Sequence, residues 1–349
     1  MFRLIIRKGT LSLVIKQIGR VFRKINRIII FAKDRWVYWV FDYDKKDKNI
    51  FNLIKLNCAN ISLHGRRLVG FYGECHMNVY TKVLCNSKGY KKKYLSINAN
   101  EIEYLGKWHH KQVKSKHAWD KVDVLIYNPG MPERNDVPSL KEVLKWIPER
   151  TERIEVTNAA FKGYMPQHTE KVDRTGRRFI WGDKNINKCL EERVPIDEVV
   201  EKLSQEDYYS ADYVKDFFRK SIERMSKYEL RCTIGISDYV NDIGRKRVLY
   251  HSVTHPNLEI MLELTKRIAE KLEFTIDEGL INSNSTFDSF DLLSHGEIVY
   301  PSIYKGLGIN EDWRERKIFP GDRRDKAYAF KEYVRAYMDN SSTNKMEVV

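Results

Sequence analysis

An apolar run, Leu68-Val69-Gly70-Phe71-Tyr72, passes through Gly73-Glu74 and delivers Cys75-His76 to the start of a helical pattern that extends to Cys85. The segment reads as a strand (Arg67 to Tyr72), a turn and a helix (His76 to Cys85), and its repetition downstream sets the fold. Lys93 to Ile97 is expected as a second strand. Val122-Asp123-Val124-Leu125-Ile126-Tyr127 is a third, stopped at Asn128-Pro129-Gly130, and Arg153 to Phe161 a fourth. Strands separated by helical segments imply βαβ units, a parallel sheet, and ligands at the carboxyl ends of the strands. Cys75, Asn128 and Asn158 fall at that edge.

From Pro195 to about Tyr228 the pattern is helical and highly charged, an expected helical insertion within about 195–245. Arg247 to Tyr250 returns as a short strand, followed by the loop His251-Ser252-Val253-Thr254-His255-Pro256 and a helix from Asn257 to about Phe274. The last 75 residues read as less regular, and residues 341–349 as a mobile tail. The chain is thus expected to hold a basic arm (1–49) and an α/β catalytic domain (50–340).

The arm is the outlier in charge. The net charge is +14, and residues 1–36 carry ten Lys/Arg against the single acid Asp34, so the rest of the chain is only mildly basic. Leu11, Val14, Ile15, Ile18, Val21, Phe22, Ile25, Ile28 and Ile29 recur at three- and four-residue spacing with Lys and Arg between them, which predicts a basic amphipathic helix. Its longest apolar run, Ile28 to Ala32, is far short of the roughly 20 residues that span a bilayer. Residues 1–41, with the aromatic Trp36-Val37-Tyr38-Trp39-Val40-Phe41, suit the surface of an anionic membrane, and no nucleic-acid motif accompanies the charge. A cytoplasmic protein, peripheral on the inner face of the cell membrane, is expected.

Five cysteines are scattered without CxxC spacing, which argues against a disulfide framework or a zinc ribbon and fits a reducing compartment. Of these, Cys75 has the most useful setting. At a helix N-terminus the dipole and the outward N–H groups favour a thiolate and can hold an oxyanion. Gly73 is expected there because a side chain would resist the dihedrals of a sharp turn.

His251 and His255 are four apart, but Pro256 pushes His255 into extended geometry just ahead of the helix, so the pair is no helical metal clamp and no metal is expected. Pro256 itself suits the first helical position. An early strand-turn-Cys-helix and a late strand-loop-His-Pro-helix can instead bring a nucleophile and a base to one sheet edge. His255 is then the base for Cys75. The group that orients His255 stays open between Glu74, His251 and a backbone carbonyl.

This order resembles the SGNH hydrolases, with Cys75 in place of the early serine and Ser252 where the acid of their late DxxH loop stands. Gly73-Glu74-Cys75-His76 is also similar to the GNCQ-type motif of the WcbI-like capsular polysaccharide biosynthesis family, with Glu74 and His76 replacing Asn and Gln. The likeness continues through Ala118 to Asn128, Thr157 to Gln167, His251 to Asn257, and Tyr300-Pro301-Ser302-Ile303-Tyr304. It spans about residues 65–310 and leaves out the arm.

The resemblance implies an SGNH/flavodoxin-like parallel-sheet core. It also implies coenzyme A or acetyl-CoA as ligand and acetyl transfer to a sugar hydroxyl of a surface polysaccharide. On that reading Cys75, His255 and His251 form the catalytic set, and Gly73, His76, Asn128, Asn158, Lys162 and Tyr164 bind substrate or coenzyme A. Lys162 is the first choice for its phosphates, ahead of Arg177, Arg178, Arg245, Lys246 and Arg247. The alternatives are an acyl hydrolase using the same Cys-His pair and a non-catalytic, membrane-associated scaffold of polysaccharide assembly. The acceptor sugar, the acyl group and the oligomeric state are not encoded in any motif.

Overall fold

The structure, a computed structural model, describes residues 37–38, 56–57, 65–98, 116–130, 138–170, 179–277, 296–320 and 326–343. The amphipathic arm expected over residues 1–49 lies outside them, apart from Val37–Tyr38, which pairs antiparallel with Leu56–Asn57. No described helix is long and apolar enough to cross a membrane.

The fold is mixed α/β. Strand β1 (Arg67–Tyr72) leads to helices α1 (His76–Asn86) and α2 (Lys88–Lys93), then to β2 (Tyr94–Asn98). Helix α3 (Lys116–Trp119), β3 (Val124–Tyr127), α4 (Leu140–Trp146) and β4 (Glu152–Glu155) follow. The four strands form one parallel sheet in the order β2-β1-β3-β4, with Gly70 opposite both Ile97 and Leu125. Strand order reverses between β1 and β3, and a crevice opens beyond the carboxyl ends of strands at such a point.

Side chains alternate along each strand, so the sheet has two apolar faces. Val69, Phe71, Val124, Ile126 and Ile154 face the larger core, which includes α1. Leu68, Tyr72, Leu125 and Tyr127 face a smaller cluster with Trp119, Val122, Val143 and Ile147. Each fully buried side chain of this kind contributes about 1.5–3 kcal/mol.

The fourth strand is shorter than the expected span of 153–161. Val156 bridges Ile234, Thr157 N–H donates to Ile234 O, and Phe161 N–H donates to Val253 O, so the chain leaves the sheet to follow other neighbours. Between them Ala159, fully buried, sits at φ +51°, a left-handed conformation that costs a non-glycine residue about 1–2 kcal/mol.

A two-residue pair, β5 (His168–Thr169) with β6 (Gly182–Asp183), precedes α5 (Lys184–Glu191). The charged region read as one helical pattern is two helices, α6 (Ile196–Leu203) and α7 (Ala211–Glu229), because Ser210 caps α7 by accepting from Tyr213 N–H. Helix α8 (Ser237–Ile243) follows. The expected strand and loop are a small antiparallel hairpin, β7 (Tyr250–Ser252) with β8 (His255–Pro256). Helix α9 (Leu258–Lys271) packs on α1. Pro256 is not its first residue, since the Asn257 side chain accepts from Ile260 N–H and caps it.

The C-terminal part is more regular than expected. Helix α10 (Pro301–Leu307) is stopped by Gly308 at φ +72°, and α11 (Phe330–Thr343) carries residues 341–343 of the expected tail in a helix.

Candidate active site

Cys75 is the N-cap residue of α1 and is exposed at the carboxyl end of β1. The first turn is tight, with Met77 N–H on Glu74 O and Asn78 N–H on Cys75 O, both at 3.0 Å. Gly73 is required for a reason other than the expected dihedrals. The described glycines with positive φ are Gly65, Gly130 and Gly308, whereas a Cβ on Gly73 would run into Asn128 Oδ1 and lie 2.9 Å from the Met77 side chain. Close approach, not a left-handed turn, excludes a side chain there.

Asn128, almost fully buried at the end of β3, ties three strand ends together. Its Nδ2 donates to Val156 O (2.8 Å) and Thr157 O (3.2 Å), its Oδ1 accepts from Glu74 N–H (3.3 Å), and its own N–H donates to Tyr72 O. Both amide hydrogens are therefore spent on backbone, and Asn128 frames the Cys75 turn instead of meeting substrate. Asn158 differs, for it is half-buried and its Oδ1 accepts from Ala160 N–H (3.3 Å).

The late histidine arrives through the hairpin. His255 stands opposite Ser252, and its Nδ1 lies 3.0 Å from Ser252 Oγ and 3.1 Å from Thr254 Oγ1. Both contacts hold the ring on its Nδ1 side, where either hydroxyl can be the hydrogen-bond partner. Two hydroxyls, those of the fully buried Ser252 and of Thr254, thus lie within hydrogen-bond distance of the His255 ring. His251 precedes Ser252 on β7, so strand alternation sets the two side chains on opposite faces, and its carbonyl accepts from Glu297 N–H.

The two halves meet through His76. Its Nε2–H donates to Thr254 O at 3.0 Å, so Cys75 and His255 are each the chain neighbour of a residue in the same hydrogen bond. The ring is 1% exposed, its Nδ1 has no hydrogen-bond partner among the described residues, and burial pulls its pKa from 6.5 down to about 4. The His76 ring is thus a neutral, buried strut between the two halves. Tyr80, whose hydroxyl is buried without a partner among the described residues, has its pKa raised by burial and by the nearby Cys75.

Two other expectations fall differently. Tyr164 is fully buried among Phe161, Phe218 and Tyr250, and its hydroxyl donates to Gly244 O (2.8 Å) and Arg247 O (3.2 Å), so it belongs to the core and cannot line a ligand site. Lys162 remains half-buried on the loop that Phe161 pins to Val253. Of the alternative cations, Lys246 and Arg247 are engaged with Asp242 and Glu259, Arg245 lies over the Phe218 ring, and Arg177 and Arg178 lie outside the described residues. Arg231, outside every motif of the chain, is exposed beside the Gly130 turn and stacks 4.3 Å from the Tyr228 ring centroid. No spacing in the sequence marks it.

Residues 69–276 match the family of the polysaccharide biosynthesis enzyme WcbI. The chain belongs to the WcbI family. A solved structure of WcbI, described as a novel polysaccharide biosynthesis enzyme in its native form without a disulfide bond between coenzyme A and a cysteine, shares the fold. That likeness has a TM-score of 0.61 at 15% identity and covers 80% of this chain and 90% of the other. No curated protein matches the chain. The family match ends before α10 and α11, and it contains Cys75, the His76–Thr254 bond and His255.

Proposed function

We propose that this member of the WcbI family is a coenzyme A-dependent O-acetyltransferase of surface polysaccharide synthesis, with an SGNH-like core and Cys75 and His255 at its centre. The hydrogen bond from His76 to Thr254 carries the reading, because it joins the residue after the exposed Cys75 to the residue before His255, whose Nδ1 lies against Ser252 Oγ, and so supports a thiol–histidine pair. Acetyl-CoA suits these residues at its thioester end. The exposed Cys75 gives the carbonyl access, and Lys162, half-buried after β4, and Arg231, exposed beside the Gly130 turn after β3, are the cations suited to its phosphates.

His255 Nε2 takes the Cys75 proton, and Sγ attacks the thioester carbonyl carbon. The carbon–sulfur bond to coenzyme A breaks, and the departing thiolate recovers the proton from His255. A sugar hydroxyl then gives its proton to His255 and attacks the acyl-Cys75 carbonyl, and Sγ leaves to restore the thiol. Asn158 Nδ2 and the N–H of His76 are the donors suited to the oxyanion in both halves.

Coenzyme A should raise the unfolding temperature of the full chain; at about 100 times its dissociation constant a ligand adds about 2.7 kcal/mol. Incubation with acetyl-CoA should add one acetyl group to the intact mass of the wild type and none to Cys75→Ala. An unshifted melting temperature with coenzyme A would overturn the reading. Binding with equal acetylation of both proteins would instead remove Cys75 from it.

A further inference from the structure

Glu297 lies beyond the family match, in no motif of the chain, yet it grips the hairpin that carries His255. Its N–H donates to His251 O (2.7 Å), and its Oε2 accepts from Val253 N–H (3.0 Å). Its Oε1 accepts from His168 Nδ1 at 2.7 Å, and the two side chains are only 4% and 3% exposed. From the other side Phe161 N–H holds Val253 O at 2.8 Å. Ser252, the partner of His255 Nδ1, sits between the two backbone groups that Glu297 fixes.

Burying a carboxylate is costly unless donors meet it, and apolar side chains fill a core more cheaply. A carboxylate is, however, acceptor-only at two oxygens, so it can take one N–H from the hairpin and another from a ring on the far side. We propose that Glu297 is a positioning residue for His255: held by His168, it fixes the backbone of residues 251–253 so that Ser252 keeps the imidazole turned toward Cys75. This rests on the reading of Cys75 and His255 as a working pair.

The test follows the rate of Cys75 alkylation by iodoacetamide, read at that peptide by mass spectrometry on the full chain, from about pH 5 to about pH 9. His255→Ala should raise the midpoint of the pH–rate curve and slow alkylation near pH 7 about tenfold. Glu297→Ala should move the midpoint the same way and slow the reaction at least about threefold. Glu297→Gln, whose Oε1 can still accept from Val253 N–H, should recover most of the wild-type rate. If Glu297→Ala fails to fold, Glu297→Asp takes its place, since a carboxylate shorter by one methylene cannot reach both donors and should shift the midpoint too. A folded Glu297→Ala or Glu297→Asp with the wild-type midpoint overturns the proposal. An unshifted midpoint in His255→Ala overturns the Cys75–His255 pair itself, a separate result.

Discussion

Replacing His76 with Gln isolates the strut between the two halves of the site. The amide Nε2 of Gln can still donate to Thr254 O, so the bond is kept and only the titrating ring is lost. The folded protein holds the imidazole at a pKa of about 4 against 6.5 when unfolded, chiefly because burial penalises the cation. A base whose folded pKa is depressed contributes its stability in full above about pH 6.5 and loses it as the pH falls toward about 4. A difference of that size amounts to about 2 kcal/mol at pH 5 and about 3 kcal/mol at pH 4. Urea unfolding of wild type and His76→Gln should therefore agree at about pH 8 and diverge in acid, with the variant the more stable by about 2 kcal/mol at pH 5. Parallel loss of stability in the two proteins between about pH 7 and pH 5 would refute a neutral, buried His76.

Asp183 should act in the opposite sense. Burial raises its pKa from 3.8 to about 7 despite donors at Ile186, Tyr300 and Asn185. Its contribution is complete below about pH 3.8 and lost as the pH rises through about 7, so Asp183→Asn, which keeps an oxygen for the α5 cap, should gain up to about 4 kcal/mol on wild type between pH 4 and pH 8. Identical pH slopes in urea unfolding would contradict this. Gly73→Ala should cost roughly 1–3 kcal/mol, lower the melting temperature, and slow Cys75 alkylation as the new methyl group displaces Asn128. A variant that melts and alkylates as wild type does would show that the turn has room.

The β1-turn-α1 unit was readable because strand and helix are each set by local periodicity, and β1 spans the residues expected of it. The extended geometry of His255 was readable for the same reason, since proline restricts the residue before it. What escaped was set by distant partners. Gly73 is needed for the approach of Asn128, 54 residues from the Glu74 N–H it accepts, and no local rule reports that distance. Tyr164 looked like a ligand residue because its neighbours in sequence resemble a family segment, but its hydroxyl is spent on carbonyls about 80 residues away. The end of β4 was hidden because Val156 and Thr157 pair with Ile234, about 80 residues away, and leave the sheet after Glu155.

The bond from His76 to Thr254 joins residues 178 apart in sequence. Contacts so remote form after local ones, because the chain between them must first be ordered. On the proposed pairing with His255, Cys75 stays an ordinary thiol until the C-terminal half has folded, so its reactivity would arrive only with a completed fold and a nascent or truncated chain would carry no premature nucleophile.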